Sequence, residues 1–420
     1  MKISYKPILF FSLFIFMSFV LAAQGGTWIV ATTSDGSGVQ GHDESSYVKS
    51  GSKYYLLGAR GNQYIQEYDP VLKTWTVKSQ KTPDLNHFQA VDYKGKIYII
   101  GAFTGPYPNE TPVPVIYIYD PVNDVLSIGD SIPKDRQRGS AGVAVYNNNI
   151  YIVSGITNGH IDGYVKWFDE YDPATGTWTK LADAPRARDH FNVAIVGDKL
   201  YAASGRTSAY PNTFGLTIPE VDVYDFTTQT WSTLPNNLPT ERGGAAVTSL
   251  GNELVVIGGE SLAHTDAHTE VEALNTTTNT WQTLAPLHTG RHGTSAITDN
   301  GNIFIAGGIS QRGGTESVAA NDQEIFTPTI AGVSPKQTIS FATYPNPFFD
   351  NLTIITSNKK AIPLFLELFD MTGKKWGTFK CTSGESFTIP SNIKPNLYLA
   401  RILTANGEKV ENIMLQKGIN

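Results

Sequence analysis

The chain has 420 residues, 40% of them hydrophobic, and a formal net charge of -6, which suits one large packed domain with a smaller one beside it in sequence. The acidic balance argues against a nucleic-acid partner held by overall charge. A single cysteine, Cys381, excludes an internal disulfide and a cysteine-rich zinc site.

The first residues place Lys2 and Lys6 ahead of an apolar run from Ile8 to Ala22 that closes in Leu21-Ala22-Ala23. A basic start, a short hydrophobic stretch and small residues at its end are the pattern of a cleaved export signal over residues 1–23. A spanning helix needs roughly 20 apolar residues and flanks that hold it in the bilayer. No later stretch meets that length, so no transmembrane segment is expected after cleavage.

From residue 24 a repeat takes over. A β-branched and aromatic run ending at glycine recurs at Tyr54 to Gly58, Ile97 to Gly101, Ile150 to Gly155, Leu200 to Gly205, Leu254 to Gly259 and Ile303 to Gly308, six copies about 50 residues apart. Tyr68-Asp69-Pro70, Tyr119-Asp120-Pro121, Tyr171-Asp172-Pro173 and Tyr224-Asp225-Phe226 follow the first four runs, with Leu274-Asn275 and Phe326-Thr327 in the last two. Seven residues beyond each of the first five lies a large apolar residue: Trp75, Leu126, Trp178, Trp231 and Trp281. Asp-Pro and the polar residues after it turn the chain, so the spacing predicts Tyr and Trp on neighbouring antiparallel strands. Each copy reads as four strands, but the last lacks a tryptophan strand, while Trp28-Ile29-Val30 is such a strand without the rest of its sheet. Joining the two closes a ring and removes exposed sheet edges.

These elements resemble the Kelch family over residues 24–328, although its double glycine is intact only at Gly258-Gly259 and Gly307-Gly308. The resemblance implies an all-β chain with a six-bladed Kelch-type β-propeller closed by its N-terminal strand. After a polar linker at 329–341, residues 342–420 open on Tyr344-Pro345-Asn346-Pro347 and continue in short alternating runs, the pattern of a small C-terminal β-sandwich. This tail resembles the C-terminal sorting domain of type IX secretion cargo. That resemblance implies the type IX secretion machinery as a partner and a protein secreted from, or attached to the outer face of the outer membrane of, a Gram-negative bacterium.

Function is expected on the face where the loop before each first strand meets the loop after each Gly-ended strand. Counting back from the Gly-ended strands finds His42, His87, Arg138, Arg188-Asp189-His190, Arg242 and Arg291-His292, at least one in every copy. Such a ring of guanidinium and imidazole groups would form a cationic funnel for carboxylate or sulfate. Long facing loops add Tyr107, His160, Trp167, Tyr210 and Phe214 for stacking on sugar rings, and Glu110, Asp162, Glu260 and Glu316 for hydroxyl binding or acid/base work. Glu44 near His42 could pair with Glu260 as acid and base. His264, Asp266 and His268 alternate along one loop, a pattern better read as a solvated surface than as a metal site.

The expected function is therefore binding of an extracellular, preferentially acidic, carbohydrate or another anionic ligand by His42, His87, Arg138, Arg188, His190, Arg242, Arg291, His292 and Glu260, with no metal, cofactor or nucleic acid. The Kelch resemblance also admits a carbohydrate-active enzyme such as an acidic-sugar mutarotase or epimerase, or a protein-binding adaptor. Galactose oxidase-like copper chemistry is disfavoured, because that family cross-links a Cys to a Tyr and Cys381 lies outside the repeats.

Overall fold

A computed structural model of the chain describes residues 23–330, 341–356, 363–390, 393, 394, 396–404 and 409–418. Residues 1–22 of the expected export signal and 331–340 of the expected linker lie outside that range, as does the side chain of Glu316. The chain divides into two compact units, Met1–Gly332 and Val333–Asn420. Among the described residues there is no α-helix, and no helix long and apolar enough to cross a membrane.

Among its described residues the first unit contains six four-stranded antiparallel sheets. One is built from Ser46–Ser50, Lys53–Leu57, Gln63–Asp69 and Thr74–Thr82 in that order. The other five begin at Val91–Tyr93, Gly142–Tyr146, Val193–Val196, Ala246–Leu250 and Ala296–Asp299. These first strands touch in sequence order, and Ala296–Asp299 touches Ser46–Ser50, so they form a closed circle. In the last sheet Ala23–Val30 pairs antiparallel with Gln323–Ile330, setting Trp28 opposite Phe326 with ring centroids 5.3 Å apart.

Local chemistry explains the repeat. Tyr68 lies opposite Trp75, Tyr119 opposite Leu126, Tyr171 opposite Trp178, Tyr224 opposite Trp231 and Leu274 opposite Trp281. The Asp or Asn after each Tyr or Leu accepts the backbone N–H groups two and three residues on, as Asp225 does from Thr227 at 2.8 Å and Thr228 at 3.2 Å. That side-chain turn sets the hairpin and its register. Apolar cores then fill the spaces between neighbouring sheets: Tyr54 meets Phe304 at 5.0 Å and Tyr55 meets Tyr119 at 5.9 Å between centroids.

The small residues ending each second strand have a steric cause. Gly258 has φ +61°, and a Cβ there would stand 2.2 Å from the Arg291 carbonyl oxygen of the next sheet. Ser154 and Ser204 replace glycine at positive φ, and their hydroxyls donate to the carbonyls of Arg186 and Arg242. A compensating hydrogen bond accounts for the departure from glycine.

The second unit holds a three-stranded sheet, Phe341–Tyr344, Asn351–Thr356 and Ser386–Thr388, and a four-stranded one, Lys375–Thr382, Pro363–Asp370, Leu397–Thr404 and Lys409–Gln416. Alternate residues Leu364, Leu366 and Leu368 face a core shared with Leu352, Ile354 and Tyr398. Cys381 is buried in that core, and burial pushes its thiol up to about 11.

Candidate functional site

The loops leading into the six first strands converge on the axis of the circle. One residue from each, Glu44, His87, Ser140, His190, Gly244 and Gly293, takes a left-handed backbone with φ between 52° and 66°. Consecutive members of this ring are tied to one another: His87 N–H donates to the Glu44 carbonyl, Ser140 N–H to that of His87, His190 N–H to the Ser140 hydroxyl, Gly244 N–H to the His190 carbonyl and Gly293 N–H to that of Gly244. Left-handed geometry suits glycine and costs other residues roughly 1–2 kcal/mol. Four of the six positions nevertheless carry side chains, and Glu44, His87 and His190 place ionisable groups at the axis. Strain of this kind gathers where a side chain is needed for function.

Above the ring opens a cavity of about 750 Å³, walled by Asp43, Glu44, Arg60, Asp84, His87, Tyr107, His160, Arg206, Phe214, Glu260, His292 and Arg312. Two of the arginines on its wall are paired with carboxylates. Arg60 reaches Glu110 at 2.6 Å and Asp43 at 3.6 Å, while Arg206 binds Glu260. His292 lies 3.4 Å from Glu260 and 3.7 Å from Glu44. Among the described residues, the Arg312 guanidinium donates only to the carbonyls of Ser261, Leu262 and His264, with Phe214 5.7 Å below it. The two facing carboxylates differ in proton affinity. Burial, with Glu260 and Asp43 adding to it, raises Glu44 above the ordinary glutamate value despite His292 and Arg60. Burial also presses upward on Glu260, but His292, Arg206 and the Gly313 N–H outweigh it and hold the carboxyl at about 2.

The structure places the expected site residues in two groups. His87, His292 and Glu260 face the cavity, and His190 joins them at the axial ring beneath it. Arg138, Arg188, Arg242 and Arg291, each no more than 1% exposed, do not line it. Their guanidiniums lie within the sheets. Each donates to the carbonyl sixteen residues on, at Ser154, Ser204, Gly258 and Gly307, and pairs with a carboxylate of Asp169, Asp222, Glu272 or Asp322 and Glu324. The expected ring of guanidiniums at the mouth is thus corrected: these four staple the interior of their sheets. The cationic imidazoles need the same correction, because burial lowers His42, His87 and His190 below the ordinary histidine value and leaves them neutral at pH 7. His42 is buried, and its carbonyl takes the N–H of Gly308, joining the last loop to the first.

Of the loop candidates, Tyr107 is half exposed beside His160, at 4.9 Å, and Tyr210, at 6.1 Å. Trp167 instead lies over Arg136 at 4.7 Å, and Asp162 is bound to Asn158. Asp266 does not join His264 and His268; the third member of that cluster is Glu270. Arg60, Arg206 and Arg312 went unread in the sequence. Arg60 and Arg206 stand directly after Gly58-Ala59 and Ser204-Gly205, the position Glu260 holds after Gly258-Gly259, and that alignment is the signal which points at the cavity.

Consecutive four-stranded antiparallel sheets whose first strands close a circle define a β-propeller, with its cavity at one end of the axis. The KLHDC2/KLHL20/DRC7 Kelch-repeats domain matches residues 87–308, and the chain belongs to the Kelch-repeat family. It is similar to the Kelch-like protein terF of Aspergillus terreus (strain NIH 2624 / FGSC A1156), 30% identical over 252 residues that cover 56% of this chain and 54% of that one. Alpha-scruin of Limulus polyphemus is 28% identical over 153 residues, 34% of this chain and 15% of its own length. The chain therefore spans about half or less of these curated relatives. The solved structure of YjhT shares the fold, with a TM-score of 0.58 and 16% identity over 68% of this chain and 95% of that one.

Proposed function

We propose that the chain is an exported, six-bladed Kelch propeller that binds an extracellular carbohydrate in the axial cavity, followed by a β-sandwich that serves as its type IX sorting domain. The observation that carries the binding role is the cavity wall itself. Arg60, held by Glu110, and the Arg206–Glu260 pair offer donors and acceptors fixed in place for sugar hydroxyls, while Tyr107 offers a ring face. Arg312, bound only to carbonyls among the described residues, favours a ligand that carries a carboxylate. A thermal-shift screen of the full chain with neutral and acidic saccharides at low salt tests this. A raised unfolding temperature is expected with an acidic sugar, and no shift with any saccharide would remove the reading.

A second reading, acid/base catalysis on such a sugar, is favoured by one observation. Glu44 and Glu260 flank His292 and are driven apart in proton affinity, the arrangement that lets one carboxyl hold a proton while the other gives it up. Altered anomer-exchange rates of an added acidic sugar, followed by NMR with the unaltered chain and with Glu260→Gln, separate catalysis from binding.

A further inference from the structure

We propose that His87, His160 and His190 form a binding site for a divalent transition metal of the zinc class, each ligating through Nε2, on the floor of the cavity. The site is independent of which ligand enters above it. His87 and His190 come from the axial ring and His160 from the loop over it, so three separate segments bring the imidazoles together. One ring nitrogen from each lies within 4.8 Å of the other two, ring centroids are 4.6 to 5.0 Å apart, and all three side chains are buried.

The hydrogen bonds behind the rings decide which nitrogens are open. His87 Nδ1 meets Asn86 Oδ1 at 2.7 Å, His160 Nδ1 meets Glu110 Oε2 at 2.9 Å, and His190 Nδ1 meets Asp189 Oδ1 at 2.5 Å. The Asn86 amide is oriented by its own NH₂ group, which donates to Asp84 at 2.9 Å, so the oxygen faces His87. An amide oxygen and two carboxylates accept, so each Nδ1 carries the proton and each Nε2 presents a lone pair. His190 Nε2 is buried without a hydrogen-bond partner. One water has two hydrogens and cannot satisfy three such lone pairs; one cation can.

Three imidazoles with an open fourth position, each held by an outer acceptor, make a donor set suited to zinc. With the three nitrogens no more than 4.8 Å apart, drawing them in to the usual zinc–nitrogen distance of about 2.1 Å requires shifts of under about 1 Å each. Carboxylates stand close to the three rings, with Glu44 Oε1 3.5 Å from His87 Nε2 and Glu110 and Asp189 behind the other two, and they oppose the Arg60 and Arg206 guanidiniums, which work against positive charge there. The second cluster, His264, His268 and Glu270, lacks these features: His264 is exposed, and both His268 nitrogens are taken, by Ser261 and Glu270.

The experiment strips the full chain with a chelator and titrates it with Zn²⁺ and, separately, Co²⁺. Expected are one tightly held equivalent and a visible Co²⁺ spectrum of a four- or five-coordinate nitrogen site. His160→Ala should weaken binding by more than ~100-fold and Glu110→Gln by about 10- to 100-fold, whereas His264→Ala should leave it unchanged. Circular dichroism establishes that each variant is folded, and the Co²⁺ spectrum of the unaltered chain stands apart from any variant. No uptake of either ion by the folded chain, or uptake that survives His160→Ala and is lost in His264→Ala, overturns the proposal.

Discussion

Arg242 and Arg312 both donate to backbone carbonyls, yet they belong to different parts of the molecule's physics. Arg242 is sealed inside its sheet, where it binds Gly258, Val256 and Thr240 carbonyls and the Glu272 carboxylate. Arg312 sits at the cavity wall, partly exposed above Phe214. The first recurs at Arg138, Arg188 and Arg291 because four of the six sheets share one need, an arginine that ties the turn after the second strand to the third strand. The second has no such counterpart. What repeats in a propeller serves the repeat, and what binds a ligand must break it, because a ligand lacks the propeller's symmetry. The axial ring shows the same division, with Gly244 and Gly293 meeting the backbone's demand and Glu44, His87 and His190 departing from it.

The largest expected effect sharpens that contrast. Arg242→Leu strands Glu272 in a buried site and should cost about 3–5 kcal/mol, read as a lower urea midpoint, whereas Arg312→Ala should change stability by less than ~1 kcal/mol. Equal losses in the two would erase the distinction.

A somewhat smaller effect is expected at the cavity wall and shows itself through pH. The Glu260 carboxyl is held at about 2 in the folded protein against an ordinary 4.5. Its contribution is therefore fully present above 4.5 and is lost as pH falls through about 2. The whole span is on the order of 3 kcal/mol. Urea midpoints measured from about pH 5 downward should fall more steeply for the unaltered chain than for Glu260→Gln; parallel curves would mean that Glu260 is not held by Arg206 and His292. Smallest of all, Glu44→Gly relieves a left-handed backbone and removes a buried carboxyl, and should stabilise the chain by about 1 kcal/mol while harming ligand binding. A loss of stability would mean that the axial ring is not strained at this position.

Much of the fold was legible before any coordinates. The Tyr-to-Trp interval gave the hairpin register residue by residue, and Trp28 opposite Phe326 follows from one strand too few at one end and one too many at the other. The site was less legible, for a physical reason. Counting back from the glycines finds the repeated arginine, but whether its guanidinium turns to the axis or into the sheet depends on a carboxylate about thirty residues on, such as Glu272 for Arg242. The grouping of His87, His160 and His190 was invisible, because they come from different copies and meet only when the circle closes. Alternation along one loop drew the eye to His264 and His268, a weaker cluster that sequence proximity makes conspicuous.

The proposed function puts ligand binding in the cavity at the axial end, not on the outer strands. Hydrogen–deuterium exchange of the full chain, with and without the tightest-binding saccharide, tests it most directly. Protection is expected in the segments that wall the cavity, around Arg60, Tyr107, His160, Arg206 and Arg312, with the outermost strands Thr74–Thr82 and Thr177–Lys180 unchanged. Protection confined to those outer strands, with the cavity segments exchanging as before, would contradict it.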